Sequence, residues 1–179
     1  MDHDLSTDMH REMEGLEESV EVNAPLRAVY DQWTQFEEFP AFMEGVESVT
    51  QVDDEHVHWV VQVPGRTKEW DAQITRQVPD EEISWVGLGD PDNRGRVVFE
   101  DVLSDDPPRT KVTIMIDYEP TGAVELVGDA LGVVRRRVQE DLVRFKELIE
   151  QRGIESGGWR GEIHSGDATR PAGGVRQEL

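Results

Sequence analysis

Residues 127–149 read VGDALGVVRRRVQEDLVRFKELI and carry the longest regular pattern in the chain. Apolar side chains recur there every three or four positions, at Val127, Leu131, Val134, Val138, Leu142, Phe145 and Ile149. This spacing predicts one long amphipathic helix with a single apolar face. Gly153 stands where a helix of this length needs a terminating residue, so we expect the helix to end near Arg152.

A run of alternating polar and apolar residues fills the middle of the chain. The alternation has the period of two that half-buried strands show. With a first strand that starts near Glu17, it predicts about seven strands, the later six at residues 46–52, 56–63, 66–77, 83–88, 96–103 and 110–119. Short turns rich in Asp, Pro and Gly separate these six, so neighbouring strands should pair antiparallel. We expect the long helix to cover the apolar face of the sheet.

Two short helices are expected between the first and second strands. Leu26, Val29 and Trp33 recur at helical spacing and predict the first of them. The apolar cluster at residues 36–43 surrounds Pro40, which limits a second helix to a turn or two.

The periodic pattern divides the chain into three parts. Residues 1–16 are acidic and polar and are expected to form a flexible leader. Residues 17–152 hold the regular pattern and are expected to fold as one domain. Residues 153–179 contain several glycines and are expected to be a mostly flexible tail, with Trp159 as a local docking point.

The charge balance excludes several functions. Asp and Glu number 39 against 18 Lys and Arg, and the net charge of −21 repels nucleic acid and anionic lipid. The chain has no Cys, which excludes thiolate chemistry and Cys-ligated zinc. No stretch approaches the roughly 20 apolar residues of a membrane span, so we expect a cytoplasmic location. Only Lys68, Lys111 and Lys146 are lysines, which favours either a high-salt cytoplasm or an arginine-biased genome.

The motifs of common enzyme classes are absent. No Gly-x-Ser-x-Gly elbow, Walker-type loop or Gly-x-Gly-x-x-Gly fingerprint occurs, which disfavours hydrolases and nucleotide binding. His56 and His58 share a strand face near Asp53, but an exposed pair beside an acidic turn explains them better than a metal site does. We therefore assign no catalytic residue, no metal ligand and no cofactor.

Four stretches resemble a known superfamily: residues 22–31 (VNAPLRAVYD), 33–43 (WTQFEEFPAFM), 68–72 (KEWDA) and 126–132 (LVGDALG). They are similar to the cyclase/dehydrase and coenzyme Q-binding branch of the SRPBCC superfamily, which also holds START proteins and pollen allergens. The resemblance implies an α+β helix-grip fold, in which a curved antiparallel sheet wraps round a long C-terminal helix and two short helices follow the first strand.

The resemblance also implies an apolar cavity between the sheet and the long helix, closed at one end by the short helices. Small hydrophobic molecules bind there in the family. The side chains expected to line it are Trp33, Phe36, Phe39, Phe42, Trp70, Trp85, Phe99, Tyr118, Val127, Leu131 and Val134. Each aromatic residue could instead be ordinary core packing.

We expect a protein that binds a hydrophobic small molecule, such as a lipid, isoprenoid or polyketide, as a carrier or sensor. The alternative is a polyketide cyclase or dehydratase that uses the same cavity, with Tyr118 or Asp71 as the acid or base. A third alternative is a protein-interaction module, which an exposed apolar patch near Phe39, Phe42 and Met43 would favour. A shared fold alone does not choose among these functions.

Overall fold

The computed structural model describes residues 15–63, 65–88, 93–102, 107–118, 130–164 and 167–169. Within these ranges the chain forms one antiparallel sheet, two α-helices and a short 3-10 helix. In chain order the elements are β1 (Gly15–Val22), α1 (Leu26–Trp33), the 3-10 helix (Phe36–Ala41), β2 (Val46–Gln51), β3 (His56–Val63), β4 (Arg66–Val78), β5 (Glu82–Leu88), β6 (Asn93–Val102), β7 (Arg109–Tyr118), α2 (Ala130–Arg152), β8 (Glu162–His164) and β9 (Asp167–Thr169).

Seven strands form one continuous path in the order β1-β7-β6-β5-β4-β3-β2. Neighbours along the chain pair from β2 to β7, whereas β1 pairs with β7, from Gly15 opposite Asp117 to Val22 opposite Thr110. The sheet with its long helix is the predicted α+β helix-grip fold, and α1 and the 3-10 helix are the two predicted short helices. The strand limits agree within a few residues, the largest difference being β6, which begins at Asn93.

Helix α2 packs its apolar stripe into the core. Its buried side chains recur at the predicted spacing, at Val138, Leu142, Phe145 and Ile149. The ring of Phe145 lies 4.8 Å from that of Trp33 and 5.1 Å from that of Phe42, measured between centroids. Burial of a side chain of this size contributes about 1.5–3 kcal/mol. Gly153, at a φ of 73°, ends the helix and donates its N–H to the Ile149 carbonyl at 2.9 Å.

Strand β4 bends at a β-bulge and changes neighbours there. Its register with β5 shifts between Ile74 and Arg76, so the inward-facing position moves to Gln77. Strand β3 pairs with β4 only as far as Gln73, and β8 pairs with Arg76 and Gln77. Strand β8 therefore takes the place beside β4 that β3 leaves, and it buries Ile163 completely.

The segment after α2 is held to α1 by Arg160. Its Nη1 donates to Asp31 Oδ1 at 2.6 Å, its Nη2 donates to Asp80 Oδ2 at 2.7 Å, and its guanidinium lies 5.5 Å from the ring centroid of Tyr30. Burial raises the pKa of the Asp31 carboxyl, and Arg160 opposes that shift. Burial likewise raises the pKa of the Tyr30 hydroxyl. The arginine thus neutralises a carboxylate that α1 holds in the protein interior.

Backbone groups of the same segment bind polar side chains of α1 and the residue that caps it. The Ser156 N–H donates to Gln32 Oε1 at 2.8 Å, and the Trp159 N–H donates to Thr34 Oγ1 at 3.0 Å. These contacts satisfy backbone donors that would otherwise be shielded from water. The segment is therefore attached by hydrogen bonds as well as by ion pairs.

Residues 153–164 belong to the stretch predicted to be a mostly flexible tail with Trp159 as a local docking point, and in the structure they contact α1 and β4. Glycines and polar residues gave them the composition of a tail, while the partners that order them lie more than 70 positions away in the sequence. Autonomous folding of residues 17–152 stays a prediction, and the contacts favour a boundary after His164. The predicted leader, residues 1–16, lies almost wholly outside the described residues.

Candidate functional site

A cavity of about 310 Å³ lies between the concave face of the sheet, the 3-10 helix and α2. Each strand from β2 to β7 contributes to its wall. Its apolar lining consists of Trp33, Phe36, Phe39, Met43, Val46, Val57, Trp59, Val61, Trp70, Ala72, Ile74, Ile83, Trp85, Ile114, Ile116 and Val138. Its polar lining consists of Glu44, Asn93, Arg137 and Asp141.

A stacked pair of indoles forms part of the sheet wall. Trp59 on β3 lies directly opposite Trp70 on β4 in the antiparallel register. Their rings are 6.0 Å apart between centroids and only 4° from parallel. Phe39 of the 3-10 helix continues this surface, with its ring centroid 5.7 Å from that of Trp59. The cavity therefore presents flat aromatic surface, which favours apolar and aromatic contacts over polar ones.

Gly95 allows a third indole to approach the backbone of the sheet. It lies opposite Trp85 in the β5–β6 register. A Cβ at this position would come within 2.5 Å of Trp85 Cζ2 and 2.8 Å of the Met115 carbonyl oxygen. Only glycine leaves room for the indole here, so a small residue stands opposite a large one in this wall.

The polar end of the cavity is built around the backbone of Glu44. Arg137 Nη1 donates to the Glu44 carbonyl oxygen at 3.2 Å, and the Glu44 N–H donates to Asp141 Oδ1 at 3.3 Å. Arg144 Nη2 also donates to Asp141 Oδ1, at 2.5 Å. Gly45 follows at a φ of 87°, and a Cβ there would lie 2.5 Å from Arg137 Nη1. The turn before β2 is thus clamped to one face of α2.

Asp141 is the carboxyl group of this end that is withdrawn from water. Its side chain is only 14% exposed, and burial raises the pKa of the carboxyl. The hydrogen bond from Arg144 and the backbone N–H of Glu44 oppose that shift. A carboxyl group whose pKa is raised and which lines an apolar cavity has the chemistry of a proton donor or acceptor.

The residues predicted to line the cavity separate into three groups. Those that line it in the structure are Trp33, Phe36, Phe39, Trp70 and Trp85. Their contact with a ligand stays a prediction. The side chains of Tyr118 and Leu131, and the whole of Val127, lie outside the described residues.

Three predicted lining residues pack in the core instead. Phe42 contacts the ring of Phe145, and Phe99 contacts the ring of Tyr30 at 5.3 Å between centroids. Val134 packs against the core cluster without reaching the cavity. Phe42 and Phe99 are buried, as their periodicity predicts, but the rings of Phe145 and Tyr30 pack directly against them.

Of the two expected acid or base residues, Asp71 is the one whose side chain the structure describes, and it does not line the cavity. The side chain of Asp71 is 59% exposed and binds His58, with its Oδ1 2.8 Å from His58 Nδ1. This contact, together with Glu69, raises the pKa of His58. Asp71 therefore belongs to a surface ion pair, because its strand neighbours Trp70 and Ala72 are the residues that face inward.

Two further observations concern site chemistry. Across the described ranges, no group of three or more His, Asp or Glu residues is arranged to hold a metal ion. Among the helices in those ranges, none is long and apolar enough to cross a membrane.

Trp59 and the polar end of the cavity were not among the site residues predicted from sequence. Trp59 lies on the same strand face as Val57 and Val61, so its period-two spacing was available as a signal. Arg137 and Asp141 gave no such signal, because charged residues on an amphipathic helix normally face solvent. Here they lie at the border of the apolar stripe and reach the cavity beside Val138.

Comparison with known proteins agrees with this architecture. The sequence matches the family described as polyketide cyclase/dehydrase and lipid transport over residues 22–147. It is 48% identical over 151 residues to an uncharacterized 17.2 kDa protein from the melC2-rnhH intergenic region of Streptomyces lincolnensis, an alignment that covers 84% of this chain and 99% of that protein.

Solved structures show the same fold at low sequence identity. The Zhui aromatase/cyclase from Streptomyces sp. R1128 aligns with a TM-score of 0.65 at 21% identity, covering 82% of this chain and 99% of that chain. A START superfamily protein from Mycobacterium smegmatis aligns with a TM-score of 0.57 at 15% identity, covering 75% and 98% of the two chains. The helix-grip architecture and the match over most of the chain lead to one assignment: this protein belongs to the polyketide cyclase/dehydrase and lipid transport family, within the SRPBCC superfamily.

Proposed function

We propose that the protein binds a hydrophobic small molecule in the cavity and acts as a carrier or sensor of that molecule. The observation that carries the proposal is the cavity itself, about 310 Å³ in volume and lined by sixteen apolar side chains. Ligand sites in proteins typically have volumes of about 300–1,000 Å³ and apolar walls with a few polar groups. The family, which includes lipid transport in its description, supports the same function.

The arrangement of the walls supports binding over simple packing. Close-packed interiors leave few voids larger than a water molecule. Here Trp33, Trp59, Trp70 and Trp85 all border open space. An apolar ligand that enters removes its own surface and that of the indoles from water, which contributes about 25 cal/mol per Å² buried.

The test uses 2-methylnaphthalene as an apolar probe and a variant that fills the cavity. Ala72 lines the cavity between Trp70 and Ile74, so Ala72→Met should occupy part of the space and weaken probe binding. Gln73→Met on the opposite face of β4 is the matched control. We expect the probe to raise the melting temperature of the parent and the control more than that of Ala72→Met. Absence of any shift in the parent would refute the proposal.

A second candidate function is a cyclase or dehydratase, and Asp141 is the observation that favours it. Its largely buried carboxyl lines the cavity and has a raised pKa, as a general acid or base requires. Heptane-2,6-dione is a simple probe, since intramolecular aldol addition and loss of one water convert it into a cyclic enone. Asp141→Asn should abolish any acceleration by the parent while leaving 2-methylnaphthalene binding intact. No acceleration by the parent would leave carrier or sensor as the function.

The interaction-module alternative loses its structural basis. Phe39 and Phe42 are 4% and 2% exposed, so they do not form the exposed apolar patch that such a module would use. A cytoplasmic location and the absence of nucleic-acid binding stay predictions from composition.

A further inference from the structure

The polar end of the cavity holds one hydrogen-bond donor and one acceptor close together. Arg137 and Asp141 are four residues apart, which places them on the same face of α2 with Cβ atoms about 5–6 Å apart. They bind the carbonyl and the N–H of the same residue, Glu44, at 3.2 and 3.3 Å. Both line the cavity. The donor and the acceptor therefore lie beside the same residue, at the same part of the cavity wall.

Each of the two side chains has hydrogen-bonding atoms left for a ligand. A guanidinium carries five N–H donors, and among the described residues Arg137 makes one hydrogen bond, to Glu44. Asp141 Oδ1 accepts from the Glu44 N–H and from Arg144. Asp141 Oδ2 has no hydrogen-bond partner within the described ranges, and it is not among the polar atoms sealed from solvent. A donor and an acceptor are therefore both directed to the same end of an apolar cavity.

The surrounding charges disfavour an anion at this place. Glu44 and Asp141 supply two carboxyl groups, and Arg144 lies 3.7 Å from Glu44 Oε2 and 2.5 Å from Asp141 Oδ1. Arg144 is therefore already paired with these two carboxyl groups. Among the described residues of this end, Arg137 is then the cation that remains for a ligand, and it also lies near the carboxyl of Asp141. A carboxylate or phosphate ligand would add a third negative group, whereas a neutral group adds none.

We infer that the ligand carries a neutral hydroxyl group at one end of its apolar body, and that this group accepts a hydrogen bond from Arg137 and donates one to Asp141 Oδ2. Among common neutral groups, a hydroxyl does both through a single atom. A ketone can only accept, and a hydrocarbon can do neither. The inference rests on the proposed function, since it assigns a ligand class, an alcohol or phenol, to the same cavity.

The experiment compares probes that share one ring system and differ in the polar group. Titration calorimetry measures the Kd of 2-naphthol, 2-methylnaphthalene and 2-naphthoate with the parent. The informative quantity is the Kd of 2-methylnaphthalene divided by that of 2-naphthol, because the ratio cancels the contribution of the rings. In the parent, we expect 2-naphthoate to bind more weakly than 2-naphthol.

Two variants remove the donor and the acceptor separately. Arg137→Met keeps the aliphatic stem and loses the donor, and it should lower the ratio roughly tenfold, as expected for a hydrogen bond to a charged group. Asp141→Asn keeps the oxygen that binds Glu44 and Arg144, replaces Oδ2 by a donor, and should shift preference from 2-naphthol to the ketone 2-acetonaphthone. Arg136→Met, at the adjacent exposed arginine, is the matched control and should leave the ratio unchanged.

The outcomes separate this inference from the proposed function. If 2-methylnaphthalene binds but neither variant changes the ratio, or if 2-naphthoate binds more tightly than 2-naphthol, the hydroxyl inference is refuted and the carrier function stands. If no probe binds the parent, the proposed function fails and the inference falls with it. Asp141→Asn is nearly isosteric, so it decides the question even if Arg137→Met does not fold.

Discussion

Replacing Arg160 with Met should destabilise the fold through the carboxyl group that this arginine neutralises. The variant keeps the aliphatic stem and removes the ion pairs with Asp31 and Asp80. Loss of one partner of a fully buried pair costs about 3–5 kcal/mol, and loss of an exposed pair at most ~1 kcal/mol. The Asp31 side chain is 8% exposed but Asp80 is 34% exposed, so we expect a loss of about 2–3 kcal/mol.

The loss should depend on pH with a definite sign. The pKa of Asp31 is already raised in the folded parent, and removing Arg160 raises it further. The folded state then holds the proton more tightly than the unfolded chain, whose carboxyl titrates near 3.8. The stability that this group contributes is therefore lost as pH rises from the pKa of Asp31 in the unfolded chain through its pKa in the folded state. The destabilisation by Arg160→Met should be largest near pH 7 and shrink as pH falls toward about 4.

Urea denaturation of parent and variant at several pH values measures this effect. Arg66→Met, at an exposed arginine at the start of β4, controls for the loss of one positive charge. Asp31→Asn combined with Arg160→Met should be more stable than Arg160→Met alone, because the buried charge is gone. If the free energy of unfolding of Arg160→Met lies within about 0.5 kcal/mol of that of the control at pH 7, that result contradicts the reasoning. A difference that small is the usual effect of a surface substitution on stability.

Three further outcomes are expected. Molar potassium chloride should raise the melting temperature above that in dilute buffer, because it shortens the Debye length to roughly 3 Å and screens the net charge of −21. An unchanged melting temperature would favour genome bias as the cause of the acidic composition. Gly95→Ala should cost about 1–3 kcal/mol and shift tryptophan emission, since its methyl group displaces Trp85; unaltered emission would contradict the contact. Ending the chain after Arg152 should lower the melting temperature more than ending it after His164, and equal melting would support the shorter domain.

Element order and architecture could be predicted because they depend on local periodicity. The alternation in β1 and the three-to-four spacing in α2 are properties of neighbouring residues, and both reappear as burial in the structure. The position of β8 could not be predicted in this way. Its pairing with β4 arises from the bulge after Ile74 and the early end of β3, and neither leaves a periodic signal.

Cavity and core side chains could not be separated from sequence. Phe39 and Phe42 are three residues apart, both are buried, and their rings lie 5.4 Å from each other, yet only Phe39 borders the open space. The spacing of apolar residues along a helix or strand shows which side chains point inward. Whether a cavity remains in front of such a side chain depends on the residues of the element that faces it. Asp141 and Arg137 illustrate the same limit, because their access to the cavity depends on where the Glu44 turn meets α2.

The pairing of β1 with β7 also determines the order in which a newly made chain can fold. The first strand has its partner more than 85 residues later, at residues 109–118, so the sheet cannot be completed while the middle of the chain is still being synthesised. The Asp31 carboxyl gains its ion-pair partner later still, when Arg160 has left the ribosome. Contacts between such distant parts of a chain slow folding, because a long loop must close before they form. Translation that stops before residue 160 should therefore leave a product with a charged helix unable to settle into the interior, a natural substrate for chaperones and proteases.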